Sequence, residues 1–509
     1  MRKSLALFLV LLVFAIGGTC YVSASLLMEK DNVQITETVV LGNKSVVEGV
    51  MVERNVKYDR YMRWNTTYVV GEEPECNTVY TFDEQGRLRE EQNYRYDGLE
   101  LYTDVVRGHD LENADVEKLT GVNRAMKELF DETEPGQEKS TIIDLADYSD
   151  FYEYEITIDL PGGVSYHFIN QADIEEAMLR YNGNETYIAE LKEQQYILEK
   201  LTEFFKIPVI ENHLYEIAVS KDTEGNLYGW SYGSANGGGS SGNVSMGGTL
   251  SESDAFSLWA ISVCTKDMCY FTFYPYTDDG QLVDTSYIPG GFGIYQLPFD
   301  KEKGTIDVDS LKLVYQLEPK EVLNLHYDEQ RNTILLLGHN ENGSGYKMSA
   351  FDADTMELRQ ELIFSERGYS FGDIYFRDDF IVLGAADDVV VLSVDETGYY
   401  QKELTCDVKQ LTNQTSVDYL DFSYLDFAWN GEKLIFAGPL NDSTSYRYYQ
   451  SCGFYLAAYD ESGLIYYGEY VSSLDAENSY TDSQYDPYYS YKHICKPMEN
   501  DPIFVNWRN

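Results

Sequence analysis

The sequence predicts a predominantly β fold, a β-propeller-like arrangement of roughly six to seven four-stranded blades with a small helical insertion. Two observations predict it. Turn residues recur at short intervals between runs rich in aromatic and β-branched residues, which is typical of strands. Pairs of hairpins then repeat at a longer period, as expected of blades that bury their faces only by stacking on neighbours.

The first repeated hairpin contains an apolar or aromatic residue, then Asp, two or three further residues, and often Gly. Asp can cap a tight turn through its side chain, and Gly accepts the positive φ that such turns need. The structural-turn positions that this pattern predicts are Asp83, Asp222 with Gly225, Asp300, Asp395 with Gly398, and Asp460 with Gly463.

A second repeated hairpin ends in glycine, at Gly338, Gly384 and Gly438, and so recurs roughly every 50 residues. Two stacked β-sandwiches would also give regularly spaced short strands, but the long two-hairpin period favours a propeller. Closure has two alternatives. The C-terminal "PIFVNW" pairs either with the hairpin "HLYEIAVSKDTEGNLYGW" or with strands nearer the N-terminus.

The chain divides by composition into four segments. Residues 1–24 are a signal peptide, or an anchor reaching about residue 28; residues 29–110 are β-rich and blade-like; residues 111–211 are mixed; and residues 212–509 form the repeat region. The mixed segment carries the predicted insertion, because "ETYIAELKEQQYILEKLTEFF" places apolar residues on one helical face before Pro208.

The N-terminus has the parts of a secretory signal. Arg2 and Lys3 precede the apolar run Leu5–Gly18, and Val22 and Ala24 are small residues before a cleavage site. An uncleaved membrane anchor is the alternative, because the apolar character approaches the roughly 20 residues that span a bilayer. The cleaved signal and the uncleaved anchor both predict an extracytoplasmic protein, secreted in the first case and anchored to the cell membrane in the second.

The charge excludes classes of partner. The chain has 86 acidic against 38 basic residues, a net charge of −48. Such a field repels polyanions, so we expect no binding of nucleic acid and no contact with membranes except through the N-terminal segment. Acidic clusters could hold Ca²⁺, but no complete calcium-loop motif is present, so no cofactor and no metal ligand is predicted.

The cysteines suggest one disulfide. An extracytoplasmic compartment permits disulfides, and Cys264 and Cys269 flank "TKDM", where they could face each other across a hairpin. Two separately buried thiols are the alternative. The spacing contains no C-x-x-C, which argues against zinc or redox motifs.

No catalytic residue is predicted. Gly238–Gly242 matches the G-x-S-x-G elbow around Ser240, but its flanks are Gly/Ser-rich loop instead of strand and helix. "SKDTEGNLYGW" is a near miss to the Asp-box, which is a structural turn. Two aromatic runs, Ser445–Gln450 and Tyr485–His493, could stack on sugar rings or bind a peptide.

The signal segment with the blade-like hairpins resembles the secreted or envelope-anchored bacterial β-propeller-like proteins, many of which have no assigned function. This resemblance implies fold and location only. We therefore expect a binding or scaffold protein with a protein or glycan ligand. The alternatives are a secreted glycan-acting hydrolase and a membrane-anchored sensor domain.

Overall fold

The structure is a computed structural model. It describes residues 12–21, 34–57, 62–80, 98–103, 111, 115–119, 121–152, 154–160, 164–166, 185–234, 257–258, 260–276, 281–319, 322–340, 345–365, 371–377, 379–385, 388–414, 425–440, 453–472 and 503–508.

The chain forms two compact units. Unit 1 comprises Met1–Tyr94, Ser344–Tyr346 and Phe364–Asn509, and unit 2 comprises Arg95–Gly343 and Lys347–Ile363. Both consist mainly of antiparallel strands, so the fold is predominantly β, as predicted.

The strands are numbered in chain order. The first four are β1 Ile35–Gly42, β2 Val50–Lys57, β3 Met62–Val69 and β4 Glu75–Tyr80. The next sixteen are β5 Gly98–Thr103, β6 Glu138–Asp144, β7 Tyr154–Leu160, β8 Val164–Tyr166, β9 Leu214–Lys221, β10 Leu227–Ser234, β11 Ser257–Leu258, β12 Ala260–Cys264, β13 Met268–Phe273, β14 Gly293–Asp300, β15 Thr305–Ile306, β16 Lys312–Gln316, β17 Asn324–Asp328, β18 Thr333–His339, β19 Tyr346–Asp352 and β20 Leu358–Ser365. The last nine are β21 Phe371–Phe376, β22 Phe380–Ala385, β23 Asp388–Val394, β24 Tyr400–Asp407, β25 Asp426–Trp429, β26 Leu434–Pro439, β27 Phe454–Asp460, β28 Gly463–Ser472 and β29 Ile503–Trp507.

Among the described residues, unit 1 contains three sheets built as four-stranded meanders. Their strand orders are β21-β22-β23-β24, β25-β26-β27-β28 with β1 added beyond β28, and β29-β2-β3-β4. The third sheet decides between the two closures, because β29 pairs with β2 in the register Val52↔Val505. The C-terminal strand therefore joins strands from the N-terminal part of the chain, and the alternative closure on the Leu214 hairpin is wrong.

Unit 2 contains two four-stranded sheets, β11-β5-β7-β8 and β17-β18-β19-β20. A third sheet runs β12-β13-β14-β15, with β16 also paired to β14. The hairpin β9–β10 pairs with β6 to form a three-stranded sheet among the described residues.

The predicted repeat of roughly 50 residues is confirmed by the positions of its three glycines. Gly338, Gly384 and Gly438 all lie in the second strand of a four-strand meander, on β18, β22 and β26. At Gly438 the packing requires glycine, because a Cβ would lie 2.6 Å from the Tyr455 ring. The repeat is thus a blade-like unit, and the fold is β-propeller-like as predicted.

Among the described residues from 34 onward, three α-helices interrupt the strands: α1 Gly121–Glu132, α2 Glu185–Phe204 and α3 Val408–Gln414. Short 3-10 turns occur at Lys44–Val46, Val116–Lys118, Leu145–Asp147, Val308–Ser310 and Glu329–Arg331. The predicted amphipathic helix is confirmed as α2, which places Ile197 and Leu201 in the core of unit 2 and also buries Leu191.

Residues 12–21, within the predicted signal segment, are helical. Their apolar side chains are exposed, among them Val13 and Phe14. Among the helices of the described residues, none has the length and hydropathy that crossing a membrane requires.

Candidate functional site

The hairpin turn at Asp222 has an acidic cap. The Asp222 Oδ1 accepts backbone N–H groups from Glu224 and Asn226, each at 2.8 Å. Gly225 completes the turn with a φ of 93°. The near miss to an Asp-box is thus a structural turn.

The turns at Asp300, Asp395 and Asp460 share this arrangement. In each, Oδ1 accepts the backbone N–H two residues further on, at 3.0, 2.8 and 2.8 Å. Gly398 and Gly463 follow with φ values of 86° and 108°. These carboxylates are engaged with their own turns, which leaves them unsuited to catalysis.

The caps also change acidity. The Thr397 hydroxyl, followed by the Tyr399 backbone N–H, lowers the pKa of Asp395 to about 2. Hydrogen bonds from Asn226 likewise lower the pKa of Asp222. Both groups therefore stay ionised at neutral pH.

Several sequence predictions concern residues outside the described ranges. These are the turn at Asp83, Ser240 with its glycines, and the aromatic runs Ser445–Gln450 and Tyr485–His493.

The two cysteines predicted to pair lie directly opposite each other. Cys264 ends β12, Cys269 lies on β13, and the two are partners in the antiparallel register. The structure has both as thiols. The disulfide between them stays a prediction.

The described histidines take structural positions. His213 Nδ1 lies 2.7 Å from the Tyr152 hydroxyl. Burial lowers the pKa of His326 to about 3, so this imidazole is neutral at physiological pH. Within the described stretches, no group of three His, Cys, Asp or Glu side chains is arranged to hold a metal ion.

The strongest charged cluster of unit 1 surrounds Asp426, the first residue of β25. Arg377 Nη2 donates to both carboxylate oxygens, at 2.9 and 2.7 Å. The Tyr375 hydroxyl and the Val505 backbone N–H also donate to this carboxylate. Asp426 therefore joins β21, β25 and the closing strand β29.

This cluster has the residue types of an active site, but its carboxylate is not available to a substrate. Asp426 is buried, and burial raises its pKa to about 7, opposed by the backbone N–H groups of Val505 and Phe427. A perturbed carboxyl group of this kind can mark a functional site. Here both oxygens already accept hydrogen bonds from protein groups, so the cluster is a structural clamp.

A second cluster in unit 1 brings a glutamate beside tyrosines, the pair expected of a Tyr-nucleophile glycosidase. The Tyr466 hydroxyl lies 2.7 Å from the Tyr470 hydroxyl and donates to Glu37 Oε1 at 3.1 Å. Lys44 forms an ion pair with the same glutamate. Burial raises the pKa of both tyrosines well above the ordinary value, which opposes formation of a nucleophilic phenolate.

A different kind of feature lies in unit 2. The connection from β13 to β14, residues 274–292, is unusually long. The structure describes its residues 274–276 and 281–292, which together we call the aromatic loop. Tyr274, Leu282 and Tyr287 are exposed on it, at 47, 52 and 57%. Several exposed apolar side chains on one connection between strands are a signature of binding surfaces.

The aromatic loop is anchored from beneath. Val283, Ile288 and Phe292 are buried in the core of unit 2, and Phe292 packs edge-on against Phe273 at 5.2 Å between ring centroids. The Tyr295 hydroxyl donates to the Gly291 carbonyl at 2.6 Å. The exposed side chains thus stand on a fixed base.

One end of the aromatic loop pairs rings on a short two-stranded contact. Tyr276 and Leu282 form an isolated β-bridge, and the Tyr274 and Tyr276 rings lie 5.0 Å apart. The Val283 N–H donates to the Pro275 carbonyl at 3.0 Å. Leu282 therefore forms part of this bridge, and Tyr274 lies beside it through the contact with Tyr276.

Near the other end, Tyr287 meets the edge of the Phe151 ring at 5.5 Å between centroids. Lys206 Nζ lies 5.7 Å from the centre of that ring. Tyr287 thus belongs to a small mixed surface with two aromatic rings and one cation. The aromatic loop is the candidate functional site.

Sequence reasoning missed both Asp426 and the aromatic loop. Neither had been predicted as part of a site, and residues 277–280 of the loop lie outside the described residues. The available signal was the stretch "YPYTDDGQLVDTSYIPGGFG", whose length, prolines and glycines fit neither strand nor helix.

Comparisons with known proteins add only a likeness of fold. No protein-family model matches the chain, and no curated protein matches it. Solved structures do match. AztD from Citrobacter koseri has a TM-score of 0.26 at 10% identity, covering 83% of this chain and 98% of that one.

Two further solved structures are similar at the same level. The β-propeller domain of the Trilobed protease from Pyrococcus furiosus has a TM-score of 0.21 at 13% identity, over 51% of this chain and 66% of that one. The WD40 domain of SCAP from fission yeast has a TM-score of 0.19 at 9% identity, over 82% and 71%. At such values the likeness carries no argument about activity.

Proposed function

We propose that the protein is an extracytoplasmic, β-propeller-like binding module that holds a neutral glycan chain on its aromatic loop. One observation carries the proposal: Tyr274, Leu282 and Tyr287 are exposed on a long loop whose base is anchored by buried Ile288 and its neighbours.

Tyrosine rings suit this ligand. A tyrosine presents an apolar face to the C–H surface of a sugar ring and a hydroxyl to the sugar's own hydroxyl groups. Since the loop is anchored, little conformational entropy is lost when a ligand is bound. The surface of three exposed side chains is large enough to contact a few sugar rings. It is small beside the roughly 800 Å² that each partner buries in a stable protein interface.

The net charge of −48 selects among glycans. A strongly acidic protein repels polyanionic chains at long range. A neutral polysaccharide meets no such barrier, and stacking does not depend on ligand charge. We therefore expect neutral glycans to bind and uronate-rich or sulfated glycans to be excluded.

The location rests on the N-terminal segment. Its basic residues, apolar run and small residues before the cleavage site are those of a secretory signal. The exposed apolar side chains of helical residues 12–21 support the same interpretation, because such a surface is suited to an apolar environment.

Binding without hydrolysis is favoured over a glycan-acting hydrolase. The two clusters of unit 1 that combine carboxylates with tyrosine or arginine are internally hydrogen-bonded. A glycosidase needs two carboxyl groups that face the scissile bond. The hydrolase remains the outcome that the binding test must be able to reveal.

The test is affinity electrophoresis and calorimetry of the full chain with neutral glucan, mannan and xylan, and with polygalacturonate as the anionic comparison. We expect binding to at least one neutral polysaccharide. Tyr287→Ala and Tyr274→Ala should each raise Kd by about tenfold, which corresponds to about 1.4 kcal/mol.

The matched control is Tyr399→Ala, which removes a tyrosine that is 48% exposed in unit 1. It should leave Kd unchanged. Absence of neutral-glycan binding, equal loss in the control, or preference for polygalacturonate would each overturn the proposal. Release of reducing ends in the same incubation would establish the hydrolase instead.

A further inference from the structure

We infer that Cys264 and Cys269 are a redox-active pair that closes into a reversible cross-strand disulfide by exchange with a small-molecule disulfide. This goes beyond the proposed function and does not depend on it. The inference concerns a covalent modification site on the β12–β13 hairpin of unit 2.

The register of the hairpin carries the inference. Cys264 is opposite Cys269 at the end of the paired register. One step closer to the turn, Thr265 and Met268 are joined by a backbone hydrogen bond. The Thr265 N–H donates to the Met268 carbonyl at 2.9 Å, which makes that pair hydrogen-bonded. Because the two kinds of pair alternate along an antiparallel ladder, Cys264 and Cys269 form a non-hydrogen-bonded pair.

Non-hydrogen-bonded pairs bring the chains closest. Their Cα atoms are about 4.5 Å apart and their side chains project from the same face of the sheet. Disulfides occur at Cα separations of about 4.4–6.8 Å. The pair thus lies near the short end of the permitted range, and the bond can close without a change of register.

Exposure sets the order of the chemistry. Cys264 is half-buried and Cys269 is buried, so the Cys264 thiolate is the group that reaches an external reagent. It attacks one sulfur of a disulfide R–S–S–R and releases one RS⁻, forming a mixed disulfide. The Cys269 thiolate then attacks the Cys264 sulfur and releases the second RS⁻.

Protons and electrons balance in this exchange. The two cysteines lose two protons and two electrons, and the reagent is reduced to two thiols. The ring encloses only the four residues Thr265–Met268. Since closure of a short loop constrains the unfolded chain least, the bond should stabilise this hairpin locally and remain open to reduction.

The sequence permits a direct test, because Lys266 lies between the two cysteines. Trypsin therefore separates them onto peptides 222–266 and 267–301, each of which contains one cysteine. The full chain is incubated with oxidised glutathione, alkylated under denaturing conditions, digested and analysed by mass spectrometry. We expect the two peptides to be linked, and reduction with dithiothreitol to restore two singly alkylated peptides.

Cys264→Ser should abolish the linked species, whereas Cys76→Ser, which changes a cysteine of unit 1, should leave it intact. The wild-type digest decides the matter even if a variant fails to fold. Separate alkylation or glutathionylation of the two peptides after oxidation would overturn the inference. A link from either peptide to a different cysteine would overturn it as well.

Discussion

The clamp around Asp426 in unit 1 and the aromatic loop in unit 2 arrange their chemistry in opposite ways. The clamp buries a carboxylate and surrounds it with donors from Arg377, Tyr375 and the backbone of Val505. The loop buries only its base and leaves Tyr274 and Tyr287 exposed. The carboxylate of the clamp is therefore engaged by hydrogen bonds within the protein, whereas the tyrosine rings of the loop are accessible to a ligand.

This difference shows which observation identifies a site. Charged and ionisable side chains are the usual catalytic groups, yet a buried carboxylate whose two oxygens both accept hydrogen bonds from protein groups serves the fold. Exposed aromatic rings on an anchored loop are costly to keep in water, so their exposure needs a reason. Substitutions in the two regions should accordingly separate stability from binding.

The largest effect is expected in the clamp. Asp426→Ala leaves the Arg377 guanidinium without its carboxylate partner in a partly buried position. Breaking a buried pair in this way should lower the free energy of unfolding by about 3–5 kcal/mol. Urea denaturation followed by intrinsic fluorescence measures the change.

The control for the clamp is an exposed pair in the same unit. Arg508 Nη1 lies 2.8 Å from Glu72 Oε1, with both side chains more than half exposed. Arg508→Ala should cost about 0–1 kcal/mol. If the two variants lost similar stability, the clamp would not be the special feature that its geometry indicates.

The next effect concerns the base of the aromatic loop. Ile288 is 2% exposed, and truncating a buried isoleucine to alanine typically costs about 2–5 kcal/mol. We expect Ile288→Ala near the lower end of this range, because the loop can relax into part of the space. Tyr287→Ala, which removes an exposed side chain of the same loop, should change stability by less than about 0.5 kcal/mol. Thermal unfolding of both variants compares the buried and the exposed side of the loop, and a larger loss for Tyr287→Ala than for Ile288→Ala would contradict the anchoring.

The contribution of the clamp to the free energy of unfolding should decrease as the pH rises. Burial raises the pKa of Asp426 from 3.8 to about 7. A carboxyl group with a raised folded-state pKa stabilises the fold fully below its unfolded pKa, and this contribution is lost as the pH rises through about 7. Asp426→Asn cannot titrate, so its unfolding free energy should lack the fall between about pH 4 and 7. Denaturation series at several pH values test this, and parallel curves for wild type and variant would refute it.

The sequence predicted features that depend on local pattern. The recurring hairpins, with Gly338, Gly384 and Gly438 at equivalent places, and the helix ending before Pro208 follow from neighbours in the chain. The clamp could not be predicted, because Arg377 and Asp426 are 49 residues apart and Val505 is a further 79 residues on. No spacing rule connects them, since only the pairing of β29 with β2 brings the last strand into place.

The smallest effect is expected at the surface turn of Asp395, whose pKa is shifted in the opposite direction to the pKa of Asp426. Hydrogen bonds, first from the Thr397 hydroxyl and then from the Tyr399 backbone N–H, lower the pKa of Asp395 to about 2. A lowered pKa gives stability that is present above the unfolded-state value near 4 and is lost as the pH falls toward 2. Asp395→Asn keeps an oxygen acceptor for the turn but no charge, so it should lose little stability at pH 7 and flatten the acid limb of the stability curve. Unfolding of wild type and variant between pH 5 and 2 measures this, and an unchanged acid limb would mean that the cap does not discriminate between the charged and neutral carboxyl group.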